Sequence, residues 1–367
     1  MASEYYLLLK DPSGTVVAQI DDYYNFDCSQ RVWEAGLLKV TMSGDSSKIP
    51  LFVDNAQGEL WRRDTRAGIG WYKEFSGLFR SGKFNTDSSG INFFTASFPG
   101  DMWLLSSRII AWPAGIANQT VFTATPVETI EKTIVQYNCG SSALVSNGRA
   151  QEDGVIIGLN VDDDSGGGSI QDWRCSWTDV LSELQKLAKI DGSDFNLVKT
   201  GPATWTFYFY PVTRGVDRTS TVRFALNLGN MKKPVYTLDK INESTVAIVG
   251  GKNFNANRQS TIVYGDTYSA SNKIEMWVDA RESDTLAYLQ AKGAEKLYQA
   301  QARNKLAFEV IQTSATVYGR EYFLGDLVTA YYAGITFAQR VFGVAISFAP
   351  SSGGNNPETI QIEMRDA

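Results

Sequence analysis

A chain of 367 residues, 43% of them hydrophobic, is too long for one ordinary core, and usual domain sizes imply roughly two to four domains. Its formal net charge of -6 offers no overall attraction to nucleic acid or to an anionic membrane. It contains no histidine, which excludes Ser-His-Asp and Cys-His catalysis and every His-ligated metal site, and leaves a carboxylate-pair hydrolase as the main enzyme class to consider.

The longest apolar runs fall well short of the ~20 residues that span a bilayer, and Met1-Ala2-Ser3-Glu4 lacks the basic start of a signal peptide. Synthesis in a cytoplasm without export or membrane insertion is the expectation. Cys28, Cys139 and Cys175 are odd in number and widely spaced, so they read as buried free thiols rather than a disulfide framework or a metal site.

In chain order, residues 5–20 predict a hairpin closed by Asp11-Pro12-Ser13-Gly14, where Pro12 fixes φ and Gly14 frees it. Short strands are predicted at 37–42, 50–54, 59–63, 71–80 and 91–98, so residues 1–100 read as one β domain. Helical signals then begin. Thr125-Pro126-Val127-Glu128 reads as a capping box with proline at the first helical position, Val127, Ile130 and Ile134 recur at helical spacing, and Gly140 is the stop. Ser176-Trp177-Thr178-Asp179 opens a second helix whose stripe of Val180, Leu181, Leu184 and Leu187 runs to Asp191-Gly192. Both stripes are expected in the core. Between them, residues 160–169 ("NVDDDSGGGS") form the clearest loop. Asp162-Asp163-Asp164 suits a hard cation, yet the spacing is not that of a calcium loop, so a solvated loop without metal or cofactor is expected. Residues 205–210 ("WTFYFY") predict a strand with aromatic residues on both faces.

Strands resume after residue 222. Gly250-Gly251 within "STVAIVGGKN" lacks phosphate-loop spacing and reads as a hairpin turn. A helix beginning after Ser283 places Leu286, Leu289, Gly293 and Leu297 on one side and leaves Lys292, Glu295 and Gln299 for solvent. Residues 319–329 then read as turn, strand, turn, strand, with Gly325 supplying a backbone conformation closed to β-branched residues. Two last strands, 339–347 and 359–364, flank a turn at Pro350-Ser351-Ser352-Gly353-Gly354.

The run "DARESDTLAYLQAKGAEKLYQ", followed by "GREYFLGDLVTAYY" and the closing strand pair, resembles the C-terminal part of siphophage tail-hub proteins. The resemblance implies a mainly β (α+β) chain. Two similar β-barrel domains, at residues 1–100 and 223–367, would bracket a mixed α+β segment at 101–222, with the late helix plugging or flanking the second barrel. It implies a structural protein with no catalytic, cofactor or metal residues. Three subunits with two barrels each would close a pseudo-six-fold ring that joins the tail tube, or a distal tail protein, to a central fibre or spike. The tape measure protein would be a further neighbour, and DNA would pass without specific binding. The location would be the virion tail tip, after synthesis in the host cytoplasm. A repeated order agrees with duplication: Phe75 to Phe79 leads through Asp87-Ser88-Ser89-Gly90 into Ile91 to Phe94, much as Val341 to Ala345 leads through a Ser/Gly turn into Thr359 to Ile362. Two other readings stay open. One is a tail hydrolase of the cell wall drawing a carboxylate pair from Glu309, Glu321, Asp326 and Asp101; the other is a carbohydrate- or receptor-binding protein with Trp33, Trp61 or Trp71 as a platform.

Overall fold

The computed structural model describes residues 3–113, 119–253, 257–281, 285–349 and 358–365, and strands dominate it. Its largest element is a ten-stranded sheet. Eight strands follow one another in it, every neighbouring pair antiparallel: Met231–Asp239, Arg303–Val310, Glu358–Arg365, Ile335–Phe348, Tyr23–Arg31, Leu37–Ser43, Asn92–Pro99 and Ser81–Thr86. Leu327–Tyr332 pairs with the first half of the long Ile335–Phe348 strand, and Arg223–Ala225 runs parallel beside it.

The join between early and late chain is the register from Gly343 against Arg31 to Phe348 against Phe26. One core accordingly unites Phe26, Leu38 and Phe98 with Phe308, Val344 and Ile362. A four-stranded sheet, in the order Val16–Ile20, Glu4–Lys10, Gln57–Asp64 and Ile69–Leu78, adds Leu7, Leu9 and Leu60 to that core. Strands from residues 1–100 and from 223–367 are thus continuous in one body.

Local departures from expectation have physical causes. Residues 50–54 do not form a strand. Ile49–Leu51 is a 3-10 turn with Pro50 in its first turn, where the missing N–H costs nothing. The Tyr23–Arg31 strand escapes period-2 reading because a bulge between Tyr23 and Asn25 shifts the alternation. The Asp87 turn joins Ser81–Thr86 to Asn92–Pro99, so the Ile69–Leu78 strand leads into it only through a further strand in another sheet. Residues 319–323 belong to a turn, with Gly319 N–H donating to the Tyr322 carbonyl at 3.1 Å, and the strand begins at Leu327. The Pro350 to Gly354 turn and Ser283 lie outside the described residues.

Beside the body sits a mixed unit with helices α1 (Trp103–Ser106), α2 (Val127–Asn138) and α3 (Val180–Asp191). They pack on the pair Thr120–Pro126 and Ile170–Cys175 and on a three-stranded sheet, Leu159–Val161, Thr204–Tyr210 and Asp194–Gly201. As the pattern predicts, Val180, Leu181, Leu184 and Leu187 are buried, the Asp179 carboxylate accepts Ser182 N–H at 2.9 Å, and Gly192 closes α3 at φ 73°. The capping box of α2 is absent: Pro126 is the N-cap and makes no side-chain cap bond. The acidic, glycine-rich loop does that work instead, because Val127 N–H donates to the Ser169 carbonyl at 3.0 Å and Glu128 N–H to the Gly167 carbonyl at 3.1 Å.

A smaller unit interrupts the C-terminal strands. Val246–Gly250 lies between Ser260–Tyr264 and Glu275–Asp279, covered by α4 (Leu286–Gln299), with its own core of Ala247, Val249, Val278, Leu289 and Leu297. Gly250-Gly251 therefore ends a central strand, and the Arg258 side chain donates to both glycine carbonyls at 2.9 Å. Helix α4 covers this small sheet and touches α3 rather than a barrel. Leu286 is 50% exposed, whereas Glu295, expected in solvent, is buried and paired with Lys292 at 2.7 Å.

Candidate functional site

The charged side chains gather along the seam where early chain, late chain and mixed unit meet. Leu60, Arg62 and Asp64 face inward together, since a strand alternates, and this carries a guanidinium into the core. Arg62 Nε donates to Glu358 Oε1 at 2.9 Å and its Nη2 to Oε2 at 3.2 Å, both side chains being essentially inaccessible. Ser3, Tyr5 and Gln312 donate to the same carboxylate. Arg62 Nη1 also donates to the Tyr72 hydroxyl at 3.0 Å and the Tyr318 carbonyl at 3.2 Å. A bidentate pair with its remaining valences filled is the form in which a buried ion pair persists.

A second knot ties the mixed unit to the body. Asp194 accepts from Arg340 and from the Phe195 amide at 2.9 Å, with Arg214 Nε at 3.4 Å. Asp326 accepts Val216 N–H at 2.8 Å, Arg218 Nε at 2.7 Å and Phe323 N–H at 3.0 Å. A third knot holds the Asp194–Gly201 strand against the four-stranded sheet, where Glu59 meets Lys10 at 2.8 Å and Lys199 at 2.9 Å. Burial pushes the Glu59 carboxyl up, but the two ammonium groups win and hold it at about 2.

Between the knots lies a polar cleft of about 180 Å³, lined by Gln30, Arg31, Glu34, Glu74, Asp101 and Arg214 among others. Burial raises the carboxyls of both Glu74 and Asp101. The cleft is smaller than ordinary ligand pockets. Both Glu74 oxygens are already taken, Oε1 by Gln30 and Tyr318 at 2.8 Å each and Oε2 by Tyr72 at 2.7 Å, so this acid serves as a clasp between segments.

The structure disperses the four carboxylates considered for hydrolysis. Glu309 pairs with Lys232 and Lys233 at 3.1 Å each, Glu321 pairs with Arg320 at 2.7 Å, Asp326 is consumed in its knot, and only Asp101 faces the cleft. Of the three tryptophans, Trp33 is buried and has φ 63°, while Trp61 stacks on Tyr6 with centroids 6.1 Å apart. Trp71 is 39% exposed but lies under the Arg63 guanidinium at 4.8 Å. All three cysteines are buried and free. Among the described residues no group of three or more acids or cysteines is placed to hold a metal, and no helix is long and apolar enough to cross a membrane. Gly325 has φ 98°, the conformation expected of it. The Arg62–Glu358 and Asp194–Arg340 pairs were not singled out from sequence, although Arg62 carries a readable signal: it shares inward parity with Leu60.

This arrangement of sheets is the fold of phage tail proteins. Solved structures with it include a tail protein from Neisseria meningitidis MC58, at 11% identity and TM-score 0.59, covering 99% of this chain and 97% of the other. The 43 kDa tail protein of prophage MuSo2 from Shewanella oneidensis aligns at 13% identity and TM-score 0.60, covering 98% of each chain. A chain of the half-lidded Francisella PdpA-VgrG complex aligns at 10% identity and TM-score 0.56, covering 99% of this chain and 58% of that one. The chain belongs to the family of siphovirus ReqiPepy6 Gp37-like proteins, whose model matches residues 6–355. No curated protein matches it in sequence.

Proposed function

We propose that this chain is the structural hub of a siphophage tail tip: three copies close a pseudo-six-fold ring that joins the tail tube to a central fibre or spike and lets DNA pass. The observation that carries the reading is the run of eight antiparallel strands, built from early and late chain alike, whose two ends, Ser81–Thr86 and Met231–Asp239, are open edges among the described residues. Different surfaces at the two ends of one subunit make head-to-tail contacts, and such contacts close rings when the rotation allows. The satisfied charge knots suit a part that transmits load without rearranging, and the net charge of -6 suits a conduit to which DNA does not adhere. The fold shared with phage tail proteins supports the same location, and the occupied oxygens of Glu74 support a role without catalysis.

Native mass measurement at high concentration, together with reconstruction of purified tails, tests this reading. A three-subunit ring with six similar lobes is the expected result. Monomers decorating the tail, or a ring of another order, would move the assignment to a receptor-binding component. Cell-wall release by the purified chain would overturn the structural reading.

A further inference from the structure

We infer that the outer face of the four-stranded sheet, at Tyr6, Trp61 and Trp71, binds an anionic saccharide. Strand alternation sends Tyr5, Leu7, Leu9 and Leu60 into the body core, so Glu4, Tyr6, Trp61 and Arg63 face outward. Tyr6 stands directly opposite Trp61, and Glu4 opposite Arg63. Lys73 is the neighbour of Trp61 on the next strand, and Trp71 lies two residues before it on the same side, where its ring meets Tyr6. Outward positions of a sheet with one buried face are ordinarily polar, yet here three large aromatic side chains occupy them.

The three rings form one cluster. Tyr6 is parallel to Trp61 with centroids 6.1 Å apart and edge-on to Trp71 at 4.7 Å. The strands Asp194–Gly201 and Thr204–Tyr210 cover the opposite end of this face, with Lys199 on Glu59 and Pro202 packed on the Asp11 to Gly14 turn. At the aromatic end Tyr6 and Trp61 are half-buried and Trp71 is 39% exposed.

The border of the cluster is charged. Arg63 Nη2 donates to Glu4 Oε2 at 2.6 Å, and the guanidinium lies 4.8 Å from the centre of the Trp71 ring. The rest of its fork has no other partner among the described residues. Lys73 comes no closer than 4.0 Å to a carboxylate among the described residues, and that carboxylate, Glu59, already holds Lys10 and Lys199. Arg63 and Lys73 therefore face Glu4 alone at the open end, a positive patch on a chain of net charge -6. Aromatic rings receive the apolar C–H face of a sugar, the Arg63–Glu4 pair offers donors and an acceptor to its hydroxyls, and the positive excess answers a carboxylate or phosphate substituent. A patch of three rings suits a short saccharide rather than a protein partner, which buries roughly 800 Å² on each side.

The site goes beyond the tail assignment and is tested on the isolated chain. The probe is an array of glycans bearing uronate, sialate or phosphate groups, each beside its neutral counterpart, followed by titration calorimetry of the strongest binder. An anionic glycan is expected to bind about tenfold or more tighter than its neutral counterpart, and to bind more weakly as salt is added. Trp71→Ala removes the most exposed ring of the cluster and should weaken binding about tenfold or more while melting with the wild type. Should Trp71→Ala melt early, Lys73→Gln, at an exposed position, takes its place with the same direction of loss and a flatter salt dependence. The inference is overturned if no anionic glycan binds, if binding survives both variants, or if an oligothymidylate binds more tightly than every glycan. A chain that binds an anionic glycan through these residues yet forms no three-subunit ring upholds this site and overturns the hub reading alone.

Discussion

The seam of the body and the core of the mixed unit both bury carboxylates, and they treat them in opposite ways. At the seam, Glu358 receives Arg62, Ser3, Tyr5 and Gln312. In the mixed unit, Glu131 on α2 is fully buried and neither oxygen has a hydrogen-bond partner among the described residues. One turn earlier on the same helix, Glu128 pairs with Lys132 at 2.6 Å and accepts Ser165 Oγ at 2.7 Å and Gly167 N–H at 2.6 Å. Burial pushes Glu128 up, yet these donors hold its carboxyl at about 2; burial, with Asp191, Asp194 and Glu128 nearby, drives Glu131 well above the usual range. Depth alone therefore does not decide a buried acid's state: Glu128 has a lysine among its donors and is lowered, whereas Glu74, whose hydrogen bonds come from Gln30, Tyr318 and Tyr72, is raised.

The largest break in this contrast should come from Arg62→Met, which strands the Glu358 charge and is expected to cost about 3–5 kcal/mol in urea unfolding. The double variant Arg62→Met with Glu358→Leu should recover most of that loss, since no uncompensated charge remains. Glu131→Gln should act in the other direction and stabilise the chain by about 1–3 kcal/mol near neutral pH. The sign follows from linkage. A carboxyl raised on folding contributes its full share below its unfolded value and loses it as pH rises, so the advantage of glutamine should shrink on acidification. Glu128 behaves oppositely: its contribution holds above the unfolded value near ~4.3 and is lost as pH falls toward the folded value. Thermal melts of wild type and Glu131→Gln across acidic pH check both statements, and a constant difference would refute the first.

Smaller effects sharpen the picture around residues 321–325. Gly325→Val forces a β-branched residue into φ 98° and should cost about 1–3 kcal/mol, measured by the same unfolding. Glu321→Gln, four residues earlier, removes an exposed pair with Arg320 and should stay within about 0.5 kcal/mol.

What the sequence made legible was whatever its periodicity states directly. The α3 stripe, its opening at Ser176 to Asp179 and its Gly192 stop, and the 205–210 strand are all such features, whereas the aromatic residues on both faces of that strand did not reveal that Trp205, Phe207 and Phe209 are the buried set. The capping box failed because a loop distant in sequence supplied the caps, and no local pattern reports that. The site was harder still. Arg62 and Glu358 are 296 residues apart, so parity can show that each points inward but not that they meet. The position of α4 was lost for a related reason: its stripe declares a buried face without saying which sheet buries it.

The pairing of Tyr23–Arg31 with residues 343–348 also governs the order of events on the ribosome. Helices α2 and α3 and their sheets, and the small sheet under α4, each draw on contiguous stretches and can form while translation continues. The strand at Tyr23–Arg31 emerges early and must keep one flank unpaired until more than three hundred further residues have been made, which predicts slow late closure of the body and a nascent chain whose early strands stay sensitive to protease until residues 343–348 leave the exit tunnel.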